Sequence, residues 1–289
     1  MGTDNAFERE LAELAGKAAT RDSAAGVEVG AAVHAFRAPI RVQVAGRAGV
    51  GRSTVAAALT VPGVVTGWVV EETAAVDVPG VPDPVLDGDV VVYVLVESVR
   101  GADRDAVRAL DPAATFFVLN KADTLGESRS PADVRAAARA RADECSRDGG
   151  LVALPLIATD AAVASLRETS GIDAVAGAVT DRVHRMQARR GEYLLRALRM
   201  QAARSISVRD LLENFLAGDR AVALAAAAAR THLEEWAAQA PGPPRTPDDA
   251  LRAATWWTAR LTPAATVRQR QAVLDIRRHH VRTWARMNG

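Results

Sequence analysis

The stretch GRAGVGRST, residues 46–54, decides how the rest of the chain is read. It fits the pattern G-x-x-x-x-G-K-[ST] at every position but one, because Arg52 stands where the pattern has lysine. Before it runs IRVQVAG (40–46), a β-branched stretch, and after it STVAAALT (53–60) reads as helix. A glycine-rich turn between strand and helix binds phosphate for a physical reason. Successive backbone N–H groups face inward as an anion nest, and the helix start adds its positive end. Gly46 and Gly51 can take backbone angles that strain residues with a side chain. The candidate phosphate cradle is therefore Gly46, Arg47, Ala48, Gly49, Val50, Gly51, Arg52, Ser53 and Thr54, with the Ser53 hydroxyl available to a magnesium ion. For the loop taken alone, a tight glycine-rich βα turn without ligand is the bland alternative.

Two further segments carry compatible chemistry. VDVPG (76–80) follows an expected strand. Asp77 there can hold magnesium through water, and Gly80 can offer its N–H to a terminal phosphate. LNKAD (119–123) closes the buried run TFFVLN (115–120). The Asp123 carboxylate can accept from both N–H donors of a guanine edge, Asn120 can tie loops together, and the stem of Lys121 can lie over the base. Adenine lacks that donor pair and would leave Asp123 unpaired, which is costly.

With three motifs in order, each at the end of an expected strand, the chain resembles the P-loop GTPase superfamily over about residues 40–180. The resemblance implies a three-layer α/β sandwich with a mostly parallel sheet, guanine nucleotide (GTP/GDP) as ligand, and Mg2+ held by Ser53 and Asp77. LPLIATD (154–160) resembles the last guanine-contacting loop of these proteins. Ile157–Ala158 stand where a Ser-Ala pair is usual, so only the backbone contact of Ala158 carries over. Val81 after DVPG, in place of glutamine, is typical of the Era-like and dynamin-like branches. The resemblance also implies that no side chain of the chain acts as general base, so catalysis rests on charge stabilisation and positioning.

The chain departs from that family in two places. Arginine for lysine at residue 52 is not conservative at a tight phosphate site. Asp77 follows Thr60, the end of the helix expected after the glycine loop, too closely for a normal first switch, and neither Thr60 nor Thr66 suits the switch threonine.

The remaining expectations follow from pattern and charge. Helices are expected at 5–20, 27–36, 131–147, 172–204, 208–217, 219–239, 248–260 and 264–286, with ADRDAVRAL (102–110) as another. Strands are expected at VVTGWVV (64–70), TAAVDVPG (73–80), DVVVYVLV (89–96) and LVALPLIA (151–158). Ser207 with Asp210 reads as a capping box, and Thr262 before Pro263 as a helix start. This gives an N-terminal helical segment at 1–37, a G domain at 38–180 and an all-α C-terminal domain at 181–289.

Residues 1–180 hold 17 Lys+Arg against 25 Asp+Glu, a net of −8, whereas residues 181–289 hold 19 against 10, a net of +9. The Arg-rich tail could meet RNA or an anionic membrane surface, but solvated helix faces packing on an acidic partner explain it more simply. A single cysteine, Cys145, fits a reducing cytosol and gives no disulfide framework. No signal-peptide core and no apolar run long enough for a membrane span are read, so a cytoplasmic protein is expected. His279–His280 reads as a solvated helix face, and Trp236, Trp256, Trp257 and Trp284 as core of the tail. Three functions are carried forward. The first is a guanine-nucleotide-binding regulatory protein whose hydrolysis is slow or partner-dependent, its flanking helices arranged like a dynamin-like neck. The second is a pseudo-GTPase scaffold acting through a protein partner, as a homo- or hetero-oligomer. The third is an Era-like RNA- or ribosome-binding GTPase.

Overall fold

The computed structural model describes residues 2–60, 68–124, 131–157 and 170–289. Its contacts divide the chain into two compact units, residues 39–186 and residues 1–38 with 187–289.

The first unit is built on five strands: β1 (Ile40–Gly46), β2 (Trp68–Glu72), β3 (Val90–Leu95), β4 (Thr115–Asn120) and β5 (Ala153–Leu156). They form one sheet in the order β2-β1-β3-β4-β5, and every pairing is parallel. Parallel strands need crossovers that cover both faces, which is why β3 is an unbroken apolar run, β4 is apolar between Thr115 and Asn120, and both are buried at every position. On one face, Val42, Val44, Val92 and Val118 pack with Val55 and Leu59 of α3 (Arg52–Thr60) and with Ile172, Val175 and Val179 of α6 (Ile172–Arg204). On the other face, Tyr93, Leu95, Phe117 and Leu119 pack with Val107 of α4 (Gly101–Val107) and Cys145 of α5 (Pro131–Gly149). The result is three layers, helix–sheet–helix. Parallel strands of one sheet place all their carboxyl ends along one edge, so the loops after β1, β2 and β4 all leave from that edge, with β3 between β1 and β4.

One expected strand does not form. TAAVDVPG makes only an isolated bridge between Val76 and Arg47, with Thr73 N–H donating to Val44 O and Val76 N–H to Gly46 O. The strand pairing β1 is WVVEE instead, with Val44 opposite Glu72. The upstream part of VVTGWVV, including Thr66, lies outside the described residues.

The second unit is all helical: α1 (Gly2–Arg21), α2 (Ser23–Arg37), the distal part of α6, α7 (Ile206–Ala217), α8 (Asp219–Thr231), α9 (Glu234–Gln239), α10 (Pro247–Thr258) and α11 (Val267–Asn288). Here the division differs from a three-part chain, because the N-terminal helices belong with the tail. Leu11, Leu14, Val29 and Val33 share one core with Leu194, Leu198, Leu212 and Phe215, and the Phe7 and Phe215 rings stack with their centroids 6.4 Å apart. Asp22 caps α2 by accepting from Ala25 N–H at 3.0 Å and also accepts from Ser205 Oγ at 2.6 Å. Those two bonds, the serine's first, hold its carboxyl below the usual range. Because residues 1–38 carry 4 Lys+Arg and 6 Asp+Glu, the charge contrast between units is softer than that between sequence halves.

Several helix signals moved. Ile206 is already helical, so Ser207 is not a cap. Thr262 follows a 3₁₀ turn, and α11 starts after Thr266, whose side chain accepts from Gln269 N–H while Gln269 Oε1 accepts from Thr266 N–H. The expected helix 219–239 breaks at His232–Leu233 into α8 and α9. Trp257 is 1% exposed in the tail core with Trp236 and Trp256 beside it, whereas Trp284 lies at the surface. His280 is not solvated. It is 3% exposed, its Nε2 accepts from Arg230 Nη2 at 3.2 Å, and burial ahead of the nearby Arg230 charge pushes its pKa down to about 4.

Candidate functional site

The glycine loop runs from the end of β1 into α3, as its sequence requires. Gly46, Gly49 and Gly51 all have positive φ. Two of them are also sterically fixed: a Cβ on Gly46 would meet Val94 O at 2.5 Å, and one on Gly51 would meet Asn120 Nδ2 at 2.3 Å. Ala48 and Gly49 are exposed at the tip, and Val50 is buried beneath them. Thr54 is exposed in the first turn of α3.

The β4 end reaches this loop directly. Asn120, 1% exposed, donates from Nδ2 to Val50 O at 2.9 Å. Lys121, held in a left-handed conformation with φ 55°, donates from Nζ to Gly49 O at 3.0 Å. The two bonds span 70 and 72 residues of sequence. Asn120 Oδ1 is buried and has no partner among the described residues. Asp123 lies in the 3₁₀ turn Ala122–Thr124, which Thr124 closes by donating to Lys121 O. Ala122 and Ile157 line one hollow of about 100 Å³, so the ends of β4 and β5 also meet. Ala158 lies outside the described residues.

The charged side chains of the loop are engaged elsewhere than a phosphate reading expects. Arg47 donates from Nε to Asp103 Oδ1 at 2.9 Å. Asp103 is fully buried and also accepts from Tyr93 OH at 3.0 Å and Arg100 N–H at 2.8 Å. Burial, then the Asp103 charge, drives the Tyr93 phenol well above its ordinary range. Arg52 turns back to β2, donating from Nη1 to Thr73 O at 2.8 Å with Nε 3.8 Å from Glu72 Oε1. Ser53 Oγ donates to that same Glu72 oxygen at 2.9 Å.

The carboxylate that Ser53 bonds is Glu72, and for Asp77 it is the backbone that is engaged. Asp77 has φ 60°, and its N–H donates to Asp83 Oδ1 at 2.7 Å. Gly80, φ 77°, sits in a turn closed by Val81 N–H on Val78 O. Glu72, Asp103 and Asp83 were missed by sequence reasoning. For Glu72 there was a signal: an acid ending an apolar run that could pair with β1. For Asp103 and Asp83 there was none, since each acts on a backbone or side chain distant in pattern.

The Ser53 hydroxyl and Glu72 carboxylate are adjacent hard oxygens at the N-terminus of α3, which suits magnesium, a cation that commonly takes one or two protein ligands and completes its shell with water and phosphate. Among the described residues no group of three or more His, Cys, Asp or Glu could hold a metal by itself, and no helix is long and apolar enough to cross a membrane. A groove of about 510 Å³ lies in the helical unit, floored by Leu195, Ala225 and Ala229 and walled by Glu192, His232 and Arg268. Within it His232 Nε2 lies 2.9 Å from Glu192 Oε2 and Arg268 Nη2 3.4 Å from Glu192 Oε1. Against known proteins, the chain matches no protein-family model and no curated sequence.

Proposed function

We propose that the α/β unit is a P-loop GTPase-like domain and that the chain is a guanine-nucleotide-binding regulatory protein whose hydrolysis is slow or partner-dependent. One observation carries the reading: Asn120 and Lys121 at the end of β4 bond Val50 O and Gly49 O of the glycine loop. These bonds tie a loop that could cradle phosphate to the turn that bears Asp123, which supports the reading. The chemistry follows from the parts. Backbone N–H groups of residues 47–53 meet the phosphates, aided by the positive end of α3. Asp123 accepts from the guanine edge, and the Lys121 stem supports the base. Magnesium, when bound, supplies positive charge between the terminal phosphates.

A second reading is favoured by a specific observation. The Arg52 guanidinium is held on Thr73 O and beside Glu72, away from the loop. A loop without an inward cation suits a pseudo-GTPase scaffold that works through a protein partner. Phosphate release at saturating GTP separates the two. A measurable turnover that rises with a partner supports the regulatory protein, and nucleotide binding with no release under any condition supports the scaffold.

A further inference from the structure

We propose that the groove of the helical unit binds a protonated organic amine with an apolar body, the ammonium at Asp275 and the body on the alanine floor. The site lies wholly within residues 187–289 and stands apart from the nucleotide reading.

The volume comes from side chains that stop short. Helices α6, α8 and α11 converge on the groove, and there they present Leu195, Ala225, Ala229 and Ala272. Leu195, Ala229 and Ala272 are buried members of the cores below, so the floor is apolar. Three of the four are alanine, and a single methyl does not fill the junction of three helices. About 510 Å³ is left, a size that takes a drug-sized molecule. Water gains little on such a floor, so an apolar body displaces it favourably.

The charge pattern selects the ligand. Two carboxylates line the groove, and the protein has matched only one of them. Glu192 has both His232 and Arg268 against it. Asp275 has a neutral partner, the Gln271 carboxamide, which donates from Nε2 to Oδ1 at 3.0 Å. Among the described residues no cation reaches Asp275 at ion-pair distance, and Arg199 and Arg278 act on it only through longer-range charge. Asp275 is half-buried, and that desolvation outweighs the Gln271 bond and the two arginines, so its carboxyl is pushed above the usual range. A carboxylate drawn from water without a cation is costly, and an arriving ammonium restores the balance and brings three donors. An anionic ligand gains nothing comparable. Arg268 is already engaged with Glu192 and His232, Arg199 is exposed at the rim where salt screens it, and a second negative charge would meet Asp275.

The test is calorimetric titration of the full chain with three probes that share one indole body: tryptamine, the neutral alcohol tryptophol and the acid indole-3-propionate. Tryptamine saturates a single site with a Kd of about 1 mM or tighter. Tryptophol binds at least about tenfold more weakly, the step expected of one charge-assisted hydrogen bond, and the acid more weakly still. Asp275→Asn brings tryptamine and tryptophol to within about threefold of each other, whereas Glu213→Gln, which removes an exposed acid of α7, keeps the wild-type preference. Ala225→Leu, which lengthens a half-buried floor residue, weakens both probes together. Matched thermal unfolding midpoints check that the variants fold, and the comparison of the three probes on the wild type stands without them. No binding of tryptamine, equal binding of the alcohol, tighter binding of the acid, or a folded Asp275→Asn that retains the amine preference overturns the assignment.

Discussion

Replacing Gly51 by alanine tests the joint between the glycine loop and the β4 end. Gly51 has φ 88°, a conformation that costs a residue with a side chain about 1–2 kcal/mol. The new methyl would lie 2.3 Å from Asn120 Nδ2, far inside contact distance. Asn120 must then swing away from Val50 O, leaving a buried donor and acceptor unmet at a cost of about 1–3 kcal/mol. The two add to about 2–5 kcal/mol. Hydrogen exchange read by mass spectrometry on peptides from β1 and β4 reports the stability of this unit separately from the helical one. A double-mutant cycle isolates the joint. Once Asn120→Ala has removed the amide, Gly51→Ala costs only its backbone strain, so the double variant is less destabilised than the sum by about 1–3 kcal/mol. Additivity within about 0.5 kcal/mol, or a single-variant cost below that value, refutes the reasoning.

Other outcomes follow from the same structure. Asp103→Ala removes a fully buried carboxylate that three donors share and strands Arg47, so urea unfolding of the α/β unit should show a loss of about 3–5 kcal/mol. Gly26→Ala should cost about 1–3 kcal/mol in the thermal unfolding of the helical unit, because a Cβ there would meet the Ala19 backbone at 2.3 Å across the α1–α2 contact. His280 gives the helical unit an acid limb. Its folded pKa is depressed from 6.5 to about 4, so its contribution is complete above pH 6.5 and is lost as pH falls towards 4. Urea midpoints should fall by the equivalent of about 1–2 kcal/mol between pH 6.5 and 5, and His280→Leu should flatten that slope.

Much of this fold was legible because parallel strands buried on both faces leave an unmistakable pattern. VVVYVL is apolar throughout, TFFVLN is apolar between Thr115 and Asn120, and both are fully buried. The glycine turn was legible because its backbone angles restrict the residue type. What the pattern could not convey was register. TAAVDVPG has as much strand character as WVVEE, but only the latter pairs along β1, and that register brings Glu72 to Ser53. The N-terminal helices were recognised as amphipathic, yet an apolar stripe does not name the surface that covers it. The partner proved to be the tail, more than 180 residues away at the Asp22–Ser205 bond. His280 was read from its arginine-rich neighbours as solvated, although it falls on the same helical face as Val273 and Ile276.

The central claim is that the loops after β1 and β4 together form a site for guanine nucleotide. Calorimetric titration of the full chain with GDP and, separately, with ADP tests it most directly, repeated on Asp123→Ala. The account expects saturable one-site binding of GDP, at least about a hundredfold weaker binding of ADP, and loss of that preference in Asp123→Ala. Equal heats for GDP and ADP, or no binding of either, would contradict it.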